Sequence, residues 1–308
     1  MADIFAVASK EFSDTVRSKR FIILIVIFGL IMIIGIATVY VPSMGGAMPR
    51  RFLGTMGYIL SGTLSTFAPV MGLALGCDAI SGEREKGTLE LILAQPVYRD
   101  TVINGKFLAA TSGLSLAILI TSLMSVGASI IVIGVTPTAQ EALRMALFLL
   151  FSILFTMTYY GISILLSTIL KKTSQSVILS VTIWAIFAFV VPILASLIAF
   201  TIAPPYMGQA TPDENFTSPY DEGSWRRYMA VSEAISSISP NYHFNKIGQY
   251  LLTGYREYSM PPGGTVEVVE TSVLSSLMYA GPNIIVLVII TALVFIFSYI
   301  TFTRQEVR

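Results

Sequence analysis

Nine of the chain's 37 charged residues lie within residues 77–106, between two long apolar runs. They are Asp78, Glu83, Arg84, Glu85, Lys86, Glu90, Arg99, Asp100 and Lys106. Mixed charges at this density belong in water, because placing a charge in a lipid bilayer is costly. The chemistry that this stretch offers is polar contact with a partner at the membrane surface.

The order of residues in this stretch predicts a short amphipathic helix. Gly87 ends the charged run, and Thr88 is suited to cap the helix that follows. Pro96 ends that helix, since proline has no N–H to donate. Apolar residues recur on one face at i, i+3 and i+4, namely Leu89, Ile92 and Leu93. A helix of about two turns with such a ridge suits docking into a groove on another protein.

The same stretch resembles the first cytoplasmic loop of ABC-2 type transporter permeases. The matching elements, in order, are Asp78, the cluster 83–86, Gly87-Thr88-Leu89, Pro96, Arg99 and Gly105-Lys106, while Tyr98 departs from the pattern. In that family the loop is the coupling helix, which docks on the ATP-binding subunit. The resemblance therefore implies that the docking residues are Glu83, Arg84, Glu85, Lys86, Gly87, Thr88, Leu89, Ile92, Leu93 and Pro96.

Composition places the chain among integral membrane proteins. It has 308 residues, of which 54% are hydrophobic and 12% charged, whereas soluble proteins carry about 25% charge. The net charge of +1 indicates no nucleic-acid partner. The single cysteine, Cys77, excludes an intrachain disulfide framework.

Six apolar segments each approach or exceed the roughly 20 residues that a spanning helix needs. They are residues 21–41, 52–76, 107–135, 145–170, 177–203 and 277–303. We predict an all-α integral membrane protein whose residues 1–308 form one transmembrane domain in the bilayer. Before the first span, Phe5, Ala8, Phe12 and Val16 form an apolar stripe that predicts an amphipathic helix at the membrane surface.

Basic residues predict the orientation of the chain. Twelve lie in segments that would be cytoplasmic if the N-terminus is inside, against three in the short outer loops. Six spans then place both termini in the cytoplasm of a multi-pass cell-membrane protein. The long segment 204–276 would form an extracytoplasmic cap containing two short helices, the sequon at Asn215 and a short strand at 265–269. In the second cytoplasmic loop, Lys171 and Lys172 could meet lipid headgroups or a partner.

The six segments contain no Asp, Glu, Lys, Arg or His. Proton-coupled and ion-coupled carriers usually keep such groups in the bilayer, so the energy for transport should come from outside it. Small and hydroxylated residues recur instead, as in Gly72/Gly76 and in Thr121, Ser125 and Ser129. They favour close helix packing, with a weakly polar translocation path as the alternative.

The sequence lacks motifs for catalysis and nucleotide binding. It has no GxxxxGK[ST] phosphate loop, no GxSxG serine motif and no HExxH around its lone histidine, His243. We therefore predict no catalytic, cofactor or metal site. The leading hypothesis is a permease subunit of an ABC-2 type exporter, paired with a second permease copy and a separate ATP-binding subunit. The alternatives are a non-transporting membrane scaffold and, less favoured, a secondary carrier.

Overall fold

The computed structural model describes residues 4–43, 52–94, 98–134, 136–204, 222–253 and 272–304, and every regular element in them is helical. The long helices are α2 (Lys19–Ser43), α3 (Phe52–Gly76), α6 (Arg99–Ile133), α7 (Ala139–Ile169), α8 (Thr173–Ala185) continuing into α9 (Val191–Ile202), and α12 (Val273–Arg304). The shorter helices are α1 (Ile4–Arg17), α4 (Ser81–Glu85), α5 (Thr88–Ala94), α10 (Glu222–Ser236) and α11 (Pro240–Gly248). The predicted sequon at Asn215 and the strand at 265–269 lie outside the described residues.

Six helical segments are long and apolar enough to cross a membrane, which confirms the predicted spans. Five of them begin before the predicted apolar run, and the third and fourth do so by the widest margin. The reason is that hydropathy marks the lipid-facing length and not the end of a helix. The third starts at Arg99. The fourth starts after Thr138, whose side chain forms a reciprocal capping box with Glu141.

Helix α7 is packed in the centre of the bundle, and α3 meets it at backbone distance. A Cβ atom on Gly72 would lie 2.5 Å from the carbonyl oxygen of Thr156, and one on Gly76 would lie 2.8 Å from the Cβ of Ser163. The two glycines therefore serve close helix packing, as small residues do in lipid. The hydroxyl of Thr156 donates to the carbonyl of Ser152 in its own helix at 2.7 Å.

The bundle has two distinct ends. We call the end formed by α1, α4, α5 and the last turns of α7 and α12 the charged face. The opposite end is the hairpin face, because α10 and α11 form a helical hairpin there. Helix α1 packs along α6 at the charged face, with Ala8 buried and Phe5 exposed. The predicted N-terminal helix is therefore confirmed.

The hairpin was predicted to form part of a cap across the end of the bundle, but it also enters the bundle. Helix α10 packs along α9, and α11 packs between α3, α7 and α12. The side-chain amide of Asn241 donates to the carbonyl of Ser65 at 3.4 Å and accepts a hydrogen bond from Tyr159. Ser65 is about 20 Å along α3 from Phe52 at 1.5 Å per residue. The turn of the hairpin therefore lies deep in the bundle.

The fifth span is interrupted by a π-helical segment, Ile186–Val190, directly before Pro192. The amide of Val191 donates to the carbonyl of Ile186, five residues back. If the same five-residue spacing continued, the carbonyl of Phe187 would accept from the amide of residue 192, but Pro192 has no backbone N–H. The hydroxyl of Ser239 donates to that carbonyl at 3.1 Å. The hairpin turn thus supplies the bond that the proline removes.

Candidate coupling site

Two short helices, α4 and α5, connect the second and third spans at the charged face. They are separated by Gly87, whose φ of 68° lies in the left-handed region that favours glycine. The hydroxyl of Thr88 donates to the carbonyl of Glu83 at 3.1 Å. Thr88 is itself the first residue of α5. The predicted capping role is therefore wrong, because this side chain turns back towards α4 instead of accepting from the amides of α5.

The outward face of α5 differs from the predicted ridge. Leu89 is 2% exposed and belongs to the buried core, so its placement on an outward ridge is wrong. Leu91 is 67% exposed. Ile92 and Leu93 lie within α5, but the structure does not describe their side chains. Pro96 lies outside the described residues. The physical reason is that the side of α5 that carries Leu89 faces the buried apolar core of the bundle.

Glu83 anchors α4 to α6 and α1 through a buried lysine. The Nζ of Lys106 lies 2.6 Å from Glu83 Oε1 and 3.1 Å from Glu11 Oε2, and this lysine is 3% exposed. Burial raises the pKa of the Glu11 carboxyl, but the positive charges of Lys106 and Lys10 outweigh it and hold that pKa below its usual value. Glu11 therefore stays ionised near neutral pH and helps to satisfy the buried ammonium.

Arg84 anchors α4 to the end of α7. Its guanidinium donates to the carbonyl of Leu170 at 2.9 Å and to the carbonyl of Thr168 at 3.1 Å. The last carbonyls of a helix have no partner within the helix and carry its partial negative charge. A guanidinium at this point satisfies both the hydrogen bonds and the charge.

Glu85 anchors the same short helix to the start of α8. Its carboxylate accepts from the backbone amide of Thr173 at 3.0 Å, where the first amides of a helix carry partial positive charge. Three successive side chains, Glu83, Arg84 and Glu85, thus join α4 to three other parts of the bundle. We call these three residues the charge clamp.

A buried serine completes the attachment of α4. The hydroxyl oxygen of Ser167 in α7 accepts from the amides of Ile80 and Ser81 at 3.0 and 2.9 Å. These amides precede or begin α4 and would otherwise lack a partner. Sequence reasoning did not single out this contact, since Ser167 is one of several hydroxylated residues in α7 with no sequence signal that links it to residues 80–81.

Comparison with known sequences decides the family. The sequence model described as ABC-2 family transporter protein matches residues 5–307. The chain is a member of the ABC-2 transporter family. Its six spans and the two short helices at the charged face are therefore those of a multi-pass ABC-2 membrane protein.

Two relatives of this ABC-2 protein are each described as "Probable ABC transporter permease protein NosY". The one from Pseudomonas aeruginosa is 28% identical over 205 residues, which cover 64% of this chain and 72% of the relative. The one from Stutzerimonas stutzeri is 34% identical over 121 residues, which cover 39% of this chain and 43% of the relative.

In this ABC-2 protein the predicted docking residues divide into two groups. Glu83, Arg84 and Leu89 are engaged within the bundle, whereas Glu85 is exposed although its carboxylate accepts from the amide of Thr173. The exposed members of the predicted set are Lys86 and Gly87, and the neighbouring residues Glu90 and Leu91 extend the same exposed surface. Lys171 and Lys172 of the second loop are exposed as well. Leu91 was not among the residues that the sequence pattern selected, because it lies off the i, i+3, i+4 face.

The packing of α1 on α6 gives a testable prediction at Gly105. A Cβ atom there would lie 2.6 Å from Val7 Cγ1, and valine adjusts poorly because its β-branch restricts χ1. We expect Gly105→Ala to lower the thermal unfolding midpoint, since overpacking costs about 1–3 kcal/mol. The midpoint of the purified protein in detergent measures this effect.

Gly127 provides the control for Gly105 in the same helix. A Cβ atom at Gly127 meets nothing within 4 Å. Gly127→Ala should leave the midpoint unchanged or raise it, because alanine is the better helix former by about 1 kcal/mol. Equal effects of the two substitutions would show that α1 does not pack tightly on α6.

Proposed function

We propose that this chain is the permease subunit of an ATP-driven ABC-2 exporter. It pairs with a second permease copy, and both of its termini lie in the cytoplasm. A separate ATP-binding subunit docks on the exposed surface of α4 and α5, so the chain itself hydrolyses no ATP. The family membership supports the transport role, and the absence of a phosphate loop from the sequence supports a separate ATPase.

The observation that carries this proposal is the charge clamp. A force applied to α5 by the ATPase passes directly to α4, which continues α3. From α4 it passes through Glu83 to α6, through Arg84 to α7 and through Glu85 to α8. Closure of the ATPase pair can therefore move four spans together as a rigid body and open a path outward. A simple connection between two spans would not need these attachments.

Exposed apolar side chains support pairing with a second copy. The α2 helix exposes Ile23, Val26 and Leu30, and α9 exposes Ile193 and Leu197. Lipid covers such faces, and a second permease copy can cover part of them. In the family that the sequence resembles, the first and fifth spans face the other permease subunit.

Purification from native membranes in mild detergent tests the proposal. We expect a stoichiometric ATP-binding subunit to co-purify and to hydrolyse ATP in the reconstituted complex. Recovery of the full-length chain without any ATPase, or with a partner of another class, would favour the scaffold alternative.

Loss of Arg84 should uncouple hydrolysis from transport. Arg84→Ala removes two charge-assisted hydrogen bonds to the end of α7, each worth about 1.5–3 kcal/mol. We expect assembly and ATP hydrolysis to stay within about twofold of wild type, while transport per ATP falls about tenfold or more. Hydrolysis and uptake into inverted vesicles are measured in the same preparation.

Arg17 is the matched control for Arg84. It is an exposed arginine at the end of α1. Arg17→Ala should leave both rates unchanged. If Arg84→Ala transported with normal yield per ATP, the clamp would not transmit the force.

A further inference from the structure

A cavity of about 390 Å³ lies between the hairpin, α3 and the fifth span. Its volume is within the usual range of small-molecule sites. Most of its lining residues carry polar side chains, while apolar atoms make up the larger part of its accessible wall. Two of the lining residues, Ser65 and Pro192, lie well inside spans. Polar groups at membrane depth are tolerated where they line a cavity, and there they mark the path of a ligand.

One side of the cavity is a row of carboxamides. Asn241, Asn245 and Gln249 follow one another at intervals of four residues, which places them on one face of α11 and its continuation. Asn241 is held by Tyr159 and Ser65, whereas Asn245 is exposed at the cavity. A carboxamide both donates and accepts hydrogen bonds, so this row can bind a ligand that does the same.

The positive charge of Lys246, which lines the cavity, is balanced by the neighbouring Glu233. The ammonium of Lys246 lies 2.6 Å from Glu233 Oε1, and the hydroxyl of Tyr242 donates to Glu233 Oε2 at 3.3 Å. Burial and the negative charge of Glu233 raise the pKa of Tyr242 to about 12, so its hydroxyl keeps its proton near neutral pH. An ionic ligand would have to compete with this pair, so the lining favours a neutral ligand.

Two π-helical segments border the cavity. Ala188 and Phe189 come from Ile186–Val190, and Gln249 begins the second segment, Gln249–Thr253. Among the described parts of the chain these are the two π-helical segments. Such segments are rare and occur frequently at functional sites. Phe189 is 51% exposed and adds an apolar ring to the wall of the same cavity.

We propose that this cavity binds a neutral, hydroxyl-rich group, the sugar of a saccharide or of a glycolipid headgroup. The hydroxyls of a sugar pair with the carboxamide row, and the apolar face of its ring rests on Phe189. The inference rests on the proposed function, because it assigns a cargo class to the permease. The ligand would meet the hairpin on its way out.

Binding to the purified full-length chain tests this inference without ATP or an ATPase. The probes are maltose, monoglucosyl diacylglycerol and, as a sugar-free comparison, diacylglycerol. Titration of the chain in lipid nanodiscs gives the Kd of each. We expect at least one sugar probe to bind more tightly than diacylglycerol. Tight binding of maltose would identify a saccharide as the ligand, and binding of the glycolipid alone would identify a headgroup.

Asn245 is the position to change, since its side chain is exposed at the cavity. Asn245→Ala should weaken binding about tenfold through the loss of one or two hydrogen bonds. Asn245→Gln, which keeps the carboxamide, should stay within about threefold of wild type. Gln140→Ala removes an exposed carboxamide at the start of α7, away from the cavity, and should change nothing.

Three results would overturn the inference. They are failure of both sugar probes to bind, equal binding of diacylglycerol, and unchanged binding by Asn245→Ala. None of them would affect co-purification of the ATPase. Conversely, loss of the ATPase without loss of sugar binding would contradict the proposed function alone.

Discussion

Replacing Leu91 by aspartate is expected to abolish capture of the ATP-binding subunit while the permease stays folded. Leu91 is 67% exposed on α5, so its side chain contributes little to the packing of the described residues. Burying a leucine at an interface contributes about 1.5–3 kcal/mol. An aspartate at this position would also have to lose its hydration on entering the groove of the ATP-binding subunit. Together these effects should weaken the complex at least about 100-fold, as measured by co-purification and by titration of the ATPase onto the permease.

Two neighbouring substitutions serve as controls for Leu91. Glu90→Gln changes an exposed side chain of the same helix without altering its size and should keep most of the binding. Leu89→Asp places a charge in the core and should lower the yield of folded permease, whatever the partner. Normal ATPase capture by Leu91→Asp would exclude α5 as the docking element.

Removing the ammonium of Lys106 should destabilise the permease more than removing any exposed charge. Lys106→Ala leaves Glu83 and Glu11 close together at the charged face without the cation that separates them. Breaking a buried ion pair in this way costs about 3–5 kcal/mol. The unfolding midpoint of the purified chain in detergent, compared with wild type, measures the effect. We also expect α1 to detach from α6, which limited proteolysis near residues 4–17 would show.

Lys10 is the control for Lys106, because it contacts Glu11 at the surface. Its ammonium lies 3.2 Å from Glu11 and 3.5 Å from Asp14, but its side chain is 62% exposed. Exposed pairs contribute at most about 1 kcal/mol, so Lys10→Ala should leave the midpoint nearly unchanged. Similar losses for the two lysines would mean that burial does not strengthen the Lys106 contacts.

The sequence was sufficient to predict the six spans, the N-terminal amphipathic helix and the short helix after Gly87. These features depend on local properties: the length of an apolar run, the period of an apolar stripe, and glycine or proline at a boundary. The family was also evident from the sequence, because the elements of residues 78–106 follow one another along the chain. The spacing of Gly72 and Gly76 likewise predicted the close packing of α3.

The direction in which each face points was decided by the tertiary structure. The spacing of Leu89, Ile92 and Leu93 defines a face of α5, but it does not reveal that other helices cover Leu89. The same limit applies to the hairpin, whose apolar spacing predicted its helices but not their entry into the bundle.

The charge clamp could not be read from the sequence either. In the sequence, Glu83, Arg84 and Glu85 are one solvated cluster. In the folded chain each finds a different partner, and the partners of Arg84 and Glu85 lie more than 80 residues away. Hydrogen bonds between such distant residues form only when the spans bring their ends together. The sequence therefore determined which charged residues lie at the charged face, and the packing of the spans determined which hydrogen-bond partners they have.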